Sequence, residues 1–444
     1  MSNARTVALE TLIKVFNQKS YSNIALNNEL IKHDLKLADK ALATRIVYGT
    51  IQYKIFLEYQ LKPLIKTKLR DSFLKPLLLM SAYQYFFLEK VPANAIFDEA
   101  NKLAKKYSKR NSGSYKLVNG ILRALERQGE ILPPTNDLVE YLSIKESFPK
   151  WLVEYLLDHF GENETKEILV RSNQPAANSI RMTTKELDFE EIKEELKKDA
   201  FSFEESSLTP HNLNLNKGGV AQTALFKNGK ITIQDAAASL AVDAFDFKGS
   251  EQVLDACSAP GGKTVQIAEN LTTGSVIALD IHENKLRLVR NAAERLHVSD
   301  KVKTKALDAR KAKEYFNQGQ FDKILVDAPC SGLGLIRRKP EIRYEKSLND
   351  IKNLAKIQLA ILESVSGLLA NGGELVYSTC TISYEEDEGV VKQFLKLHPD
   401  FELMPVQVGK PPKQEMVRIF PSSDGSDGFF IAKLKKKTRV NNFD

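Results

Sequence analysis

The sequence predicts an α/β protein of more than one domain. A doubly wound, Rossmann-like parallel sheet fills the C-terminal half, with an all-helical domain in front and a small α+β module connecting them. Three observations carry this. From about residue 231, short apolar runs alternate with amphipathic stretches, the pattern of strands joined by crossover helices. Residues 1 to about 130 repeat apolar side chains at three- and four-residue spacing, which is helix after helix. At 444 residues the chain is too long for one core.

In order, the first domain (1–130) carries helical periodicity over Ala4 to Phe16, Ile24 to Ile31, Ala38 to Leu61, Leu74 to Leu88, Asn94 to Tyr107 and Tyr115 to Arg127. Pro92 precedes the fifth, as proline does near a helix start. Ile131-Leu132-Pro133-Pro134-Thr135 reads as a stiff linker. In the connecting module (135–230), Trp151 to Phe160 and Thr165 to Val170 read as helices. Ser179 to Thr183 reads as a strand and Glu190 to Leu196 as an acidic amphipathic helix.

The third domain (231–444) offers strands at Val253 to Ala256, Val276 to Asp280, Val302 to Ala306, Ile324 to Asp327 and Leu375 to Ser378. Phe429 to Leu434 is expected at the far edge. Between them, helices fit Lys263 to Asn270, Glu283 to Leu296, Ile351 to Leu369 and Glu386 to Leu397.

Charge is unevenly shared. Residues 1–130 hold 22 basic and 11 acidic residues, a net of +11, whereas the remainder is net −4. A basic module joined to a near-neutral one fits a polyanion held by the first and processed by the second, or lysine-rich helices kept soluble. The densest cluster, Lys102, Lys105, Lys106, Lys109 and Arg110, falls at a helix end and the polar loop after it. There it complements the helix dipole and also suits phosphate contacts.

No apolar run approaches the ~20 residues of a membrane span, and MSNARTVALETL lacks the layout of a secretory signal. A cytoplasmic location without membrane partners is expected. The three cysteines, Cys257, Cys330 and Cys380, cannot all pair and none forms C-x-x-C, while the six histidines are scattered. Neither a disulfide framework nor a metal site is expected.

All three cysteines stand at ends of expected strands. After the first comes Asp255-Ala256-Cys257-Ser258-Ala259-Pro260-Gly261-Gly262-Lys263-Thr264, a glycine turn between strand and helix where backbone approaches a ligand closely. Gly262-Lys263-Thr264 imitates the end of a phosphate loop, but that motif needs glycine where Cys257 stands. The dinucleotide pattern G-x-G-x-x-G is also absent. Carboxylates end four successive runs, Asp255, Asp280, Asp308 and Asp327. Each alone is a common turn former. Together they ring a neutral or cationic ligand in preference to a pyrophosphate, and S-adenosylmethionine fits that description. Asp327-Ala328-Pro329-Cys330 and Ser378-Thr379-Cys380 then bring two thiols to one pocket if their strands are neighbours. A thiolate suits addition to a pyrimidine ring.

Two resemblances follow. The helical block resembles the all-helical RNA-binding domain of the antitermination factor NusB, through Arg45-Ile46-Val47-Tyr48-Gly49-Thr50 and Lys116-Leu117-Val118-Asn119-Gly120-Ile121-Leu122-Arg123. DACSAPGGKT, DIHENKL, LDAR, VDAPCSGLG and YSTCT, in this order, resemble the signature set of RNA cytosine-5 methyltransferases of the NOL1/NOP2/Sun family. The resemblance implies methylation of carbon-5 of a specific cytosine in 16S ribosomal RNA, free or in an early assembly intermediate. Protein partners stay open.

The resemblance also implies residue roles. Cys257, Ser258, Ala259, Pro260, Gly261, Gly262, Lys263, Asp280, Asp308 and Asp327 would hold S-adenosylmethionine. Cys380 would attack carbon-6, Asp327 would hydrogen-bond ring nitrogen-3, Cys330 would assist elimination, and Lys263 would orient Asp327 or the base. Cytosine carbon-5 is enclosed in a paired stem, so the target must be single-stranded or turned out. One departure is Arg337-Arg338-Lys339-Pro340-Glu341-Ile342, where many members have His-Pro-Asp after the arginines. It leaves the role of Lys339 open.

Three other readings compete. A non-catalytic RNA-binding or antitermination factor with an inactive methyltransferase domain would be expected to lose the thiols or glycine turn, and both are intact. A DNA cytosine-5 methyltransferase places its nucleophile after proline, as Cys330 is placed, and has no need of Cys380. Iron–sulfur uridine-5 methylation needs more cysteines than the chain has.

Overall fold

The computed structural model describes residues 3–109, 113–183, 189–409, 413–421 and 425–438. Arg110 of the basic cluster lies outside them. The chain forms two compact units, Met1–Asn173 with Arg338–Glu345, and Gln174–Arg337 with Lys346–Asp444.

The first unit is helical. Helix Ala4–Gln18 starts where the Asn3 side chain accepts from the Thr6 amide, the usual role of Asn before a first turn. Helix Leu74–Phe87 is apolar on nearly every side and buries Leu74, Leu77, Leu78, Leu79 and Met80. A helix of that composition belongs at the centre of a bundle. Each such side chain contributes about 2 kcal/mol by leaving water.

The stretch expected as one helix over Ala38 to Leu61 is two, Leu37–Gln52 and Lys54–Leu61, broken at Tyr53. The cause is tertiary. The Ile55 amide donates to Ser147 Oγ at 2.8 Å, so a distant hydroxyl caps the second helix. Helix Leu138–Glu146, capped by Asp137, lies in a stretch left unassigned by periodicity. The two expected segments after it join as Lys150–Ser172, interrupted at Gly161 with φ 74° and ψ 175°. Such backbone is open to glycine and closed to most residues.

Arg338–Glu345 packs within this unit. Glu341 accepts from the Ser22 amide at 3.0 Å and from its hydroxyl at 2.9 Å. Arg343, fully buried, donates to Ser147 O at 3.2 Å and Asn173 Oδ1 at 3.1 Å, and its guanidinium lies 3.9 Å from the Phe148 ring centroid.

The second unit contains two sheets. The smaller is antiparallel in the order β2 (Phe203–Glu205), β3 (Asn212–Leu215), β1 (Asn178–Met182), β4 (Ile231–Ile233). Helix Phe189–Lys198 sets Ile192 and Leu196 against Ile180, Leu213 and Ile231.

The larger sheet contains β5 (Gln252–Asp255), β6 (Ser275–Asp280), β7 (Val302–Ala306), β8 (Phe321–Asp327), β9 (Leu369–Thr379), β10 (Phe401–Met404), β11 (Met416–Ile419) and β12 (Phe429–Lys436). Its order is β10-β12-β9-β8-β5-β6-β7, with β11 also paired to β12. β5 to β9 pair in parallel, and their apolar runs reflect burial on both faces. The sheet is mixed, because β12 joins antiparallel to β9. The strand at Phe429, expected at the edge, is interior: β10 and β11 both pair with it. The chain passes from β5 outward through β6 and β7, then returns to β8 on the other side of β5. The carboxyl ends of β5 and β8 therefore flank the switch point where open α/β sheets bind ligands.

Candidate active site

Parallel register places the expected carboxylates along one edge. Asp255 pairs across to Leu325 and Ala278, Asp327 to Ser378, and Asp280 to Ala306. Asp308 follows two residues past the end of β7. Between β5 and helix Gly262–Glu269 the loop turns at Gly261, whose φ is 109°. A Cβ there would meet Val289 Cα at 2.9 Å, so both backbone and space call for glycine. The loop is tied down at Ser258, whose amide and hydroxyl both donate to Leu279 O, at 2.8 and 2.9 Å. The Ser258 hydroxyl is thus committed to the neighbouring strand.

A cavity of about 190 Å³ is lined by Asp255, Cys257, Ser258, Ala259, Pro260, Gly262, Lys263 and Asp327, and on its other side by Ile233, Gln234, Asp235 and Ala238. Asp280 and Asp308 are not among its lining residues, yet their charges reach it. The Cys257 thiol is pushed well up by burial and by the carboxylates of Asp255, Asp327, Asp280 and Asp308. Asp255 is buried; Thr264 Oγ1 donates to its Oδ2 at 2.6 Å, and its Oδ1 has no hydrogen-bond partner among the described residues. Burial raises its pKa to about 7. Asp280 Oδ1 accepts from the His282 amide at 2.8 Å, and Asp308 is held by Arg310, with Nη2 at 2.6 Å.

Lys263 is the cation among the described lining residues. Its Nζ donates to Asp327 Oδ2 at 2.7 Å, and Ser378 Oγ donates to Asp327 Oδ1 at 2.9 Å. Burial opposes the Lys263 charge, but the Asp327 carboxylate outweighs it and raises the pKa. The ammonium also lies 5.0 Å from the Phe429 ring centroid. An acid-rich lining with an orphaned carboxylate oxygen suits a ligand that brings positive charge and hydrogen-bond donors, and disfavours phosphate. S-adenosylmethionine fits those requirements.

Because β8 and β9 are parallel neighbours, the two thiols meet: Cys330 Sγ and Cys380 Sγ are 3.1 Å apart, both half-buried. The contact with Cys380 and burial push the Cys330 thiol well up, so it holds its proton strongly. Behind them stands a group that the sequence patterns do not single out. Glu386, fully buried, accepts from the Ser331 amide at 2.7 Å, Ser331 Oγ at 2.5 Å, Ser383 Oγ at 2.6 Å and Gln358 Nε2 at 3.1 Å. The acidic run Glu385-Glu386-Asp387-Glu388 after the thiol strand is its visible signal. A run of four acidic residues does not say which members are buried, and here Glu386 and Asp387 both are. Asp235, on the cavity wall, is likewise unmarked in the sequence.

Away from this site, Glu10, Glu29 and His33 of the helical unit converge closely enough to share a metal ion. Lys14 and Lys32 already neutralise those carboxylates, which leaves little attraction for a cation. Among the described residues no helix is long and apolar enough to cross a membrane.

Comparison with known proteins agrees with this architecture. Residues 242–435 match the family described as 16S rRNA methyltransferase RsmB/F, residues 2–127 match the NusB family, and residues 148–221 match an RsmF/B-like ferredoxin-like domain. The probable ribosomal RNA small subunit methyltransferase B of Bacillus subtilis is 39% identical over 446 residues, covering 98% of this chain and 99% of its own. The corresponding Synechocystis protein is 31% identical, covering 98% and 100%. Among solved structures, one crystal structure covers 97% of this chain and 98% of its own at TM-score 0.82 and 26% identity. NSun6 from Pyrococcus horikoshii, solved with SFG, covers 66% and 99% at TM-score 0.59 and 26% identity. With its three modules in the same order and relatives alike from end to end, the chain belongs to the RsmB/F family of 16S ribosomal RNA methyltransferases.

Proposed function

We propose that this protein methylates carbon-5 of a specific cytosine in 16S ribosomal RNA, through a covalent bond between Cys380 and the base. The observation that carries the reading is the 3.1 Å approach of the Cys330 and Cys380 sulfurs beside the Lys263–Asp327 pair. One thiol alone would serve addition; a second at contact distance supplies the group that ends it.

S-adenosylmethionine, held by Cys257 to Lys263 with Asp280, Asp308 and Asp327, supplies an electrophilic methyl group when bound. The Cys380 thiolate adds to carbon-6. As charge develops on the ring, a proton passes from the Lys263 ammonium through Asp327, which hydrogen-bonds ring nitrogen-3 and is itself oriented by Lys263. Carbon-5 becomes nucleophilic and takes the methyl group. Cys330, having first given its own proton to water, then receives the carbon-5 proton directly or through a water. The double bond between carbon-5 and carbon-6 reforms as the bond to Cys380 breaks. The strong hold of Cys330 on a proton suits this acceptor role.

The modules at 1–130, 135–230 and 231–444 divide the work, with RNA held by the first and methylated by the third. The excess positive charge of residues 1–130 supports this. The test is to incubate the full chain with transcribed 16S RNA and S-adenosylmethionine labelled in the methyl group, then digest to nucleosides. Label in 5-methylcytidine is expected. Label confined to any other nucleoside overturns the reading.

A further inference from the structure

The two thiols sit on separate loops, each free to adopt many conformations unless something binds them together. We propose that Glu386 is the positioning residue that does so, fixing Cys330 against Cys380. The functional part of this proposal rests on the cysteine-addition reading above; the geometric part does not.

Glu386 is fully buried and, among the described residues, has no Lys or Arg partner. A buried carboxylate without a cation costs several kcal/mol unless donors satisfy it. Four donors do, and they come from both thiol loops and the helix behind them. Ser331, next after Cys330, gives its amide and its hydroxyl. Ser383, three residues after Cys380, gives its hydroxyl. Gln358 gives one amide hydrogen to Glu386 at 3.1 Å and the other to Pro329 O at 3.0 Å, so the residue before Cys330 is held as well.

The network also has a direction. The single hydroxyl proton of Ser331 points to Glu386, so Ser331 Oγ must accept in its contact of 2.8 Å with Thr381 Oγ1. Thr381, next after Cys380, is therefore the donor. The order Thr381 to Ser331 to Glu386 links the residue after one thiol to the residue after the other, and an acceptor-only group at its end sets its sense. A network of this kind rigidifies what it joins where its groups are satisfied, as all are here among the described residues except Gln358 Oε1. None of its members lines the cavity, so Glu386 acts on the chemistry through the placement of the sulfurs and through its charge, which helps to hold the Cys330 pKa up.

Two full-length variants test this. Glu386→Gln keeps the shape but brings its own amide donors into a site arranged for an acceptor. Thr381→Val removes the first donor and leaves Glu386 in place. Thiol proximity is read without RNA, from the rate at which the oxidant diamide, reduced to its hydrazine, closes a Cys330–Cys380 disulfide. Single-turnover methyl transfer and RNA affinity are read alongside.

Glu386→Gln is expected to slow disulfide closure and to lower the methyl-transfer rate about 10- to 100-fold with RNA affinity unchanged, since a misplacement near 1 Å has that effect. Thr381→Val is expected to do the same more weakly. If both variants close the disulfide and transfer methyl at the wild-type rate, the positioning role is overturned, even if thermal stability falls. Slowed closure in Glu386→Gln, with no cytosine methylation even by wild type, would keep the positioning role and remove the functional reading. Normal wild-type methylation with unaltered variant rates would do the reverse.

Discussion

Lys263 and Asp327 come from different βα loops yet share a 2.7 Å ion pair, which joins the glycine turn after β5 to the end of β8. Both residues line the cavity, the ammonium among acidic lining residues, and the charges of the pair reach the thiols, Cys380 acting on Lys263 and Asp327 on Cys330. Removing the ammonium while keeping the side chain's bulk leaves Asp327 uncompensated beside Asp255. Lys263→Met is expected to lower methyl transfer about 10²- to 10³-fold, the usual effect of losing one preorganised electrostatic group. A steady-state rate within a factor of about two of wild type would remove Lys263 from the chemistry.

The two cysteines are expected to fail differently. Cys380→Ala abolishes methyl transfer and forms no adduct. Cys330→Ala allows addition and stalls release, leaving a protein–RNA species that survives a denaturing gel. The assignment is reversed if the adduct appears with Cys380→Ala and not with Cys330→Ala.

Asp255 makes stability depend on pH. Its folded pKa of about 7 lies above the ordinary carboxylate value, so the folded state holds a proton that the unfolded state has released. The associated stability is fully present below about pH 4 and is lost as pH rises through about 7. With each pKa unit near 1.4 kcal/mol, the shift amounts to about 4 kcal/mol at most. Asp255→Asn is expected to flatten the stability profile between about pH 4 and 7 in urea unfolding. An unchanged slope would show that another group titrates there.

Arg343 is a buried cation with no carboxylate partner among the described residues, and burial lowers its pKa to about 10. Its donors serve Ser147 O and Asn173 Oδ1, and its face rests on Phe148. Arg343→Met keeps much of the volume but leaves those acceptors dry. A loss of about 2–4 kcal/mol is expected in chemical unfolding of the helical unit. A gain in stability would mean that burying the charge costs more than its hydrogen bonds return.

In the helical unit, contacts join two segments of chain that each lie next to a basic run. Ser114 Oγ donates to Asp71 Oδ2 at 2.7 Å, and the Phe73 and Tyr107 rings lie 6.0 Å apart. Close in sequence to these contacts lie two exposed basic runs, Lys62, Lys66, Lys68 and Arg70 on one side and Lys105, Lys106 and Lys109 on the other. Replacing either cluster by glutamine should weaken RNA binding and flatten its dependence on salt. The log–log slope should fall by about 0.7–0.9 for every phosphate that is no longer neutralised. An unchanged slope would leave these charges a role in solubility alone.

Much of this was legible in the chain because the relevant physics is local. Apolar runs ending in Asp255, Asp280 and Asp327 announce buried parallel strands, and the glycine at 261 announces a turn that a side chain would block. The pairing of Cys330 with Cys380 needed one further fact, that β8 and β9 are neighbours. Other features depend on partners remote in sequence. Tyr53 breaks a helix because Ser147, far along the chain, takes the next amides. The strand at Phe429 becomes interior because β10 and β11 add to it from elsewhere. Glu386 looks in sequence like any member of an acidic run, and only the fold shows that four donors converge on it.

The segment Arg338–Glu345 has a practical consequence for anyone dividing this protein. The helical unit is not a continuous piece of chain, since Arg338–Glu345 is supplied from between β8 and the helix starting at Leu348. A fragment cut after Asn173 would lose the acceptor for Ser22 and the guanidinium that Ser147 and Asn173 hold. A fragment beginning after that cut would carry Arg343 and Tyr344 bare. Gene truncations at this boundary are therefore a poor guide to what each half does, and point substitutions within the intact chain are the sounder instrument.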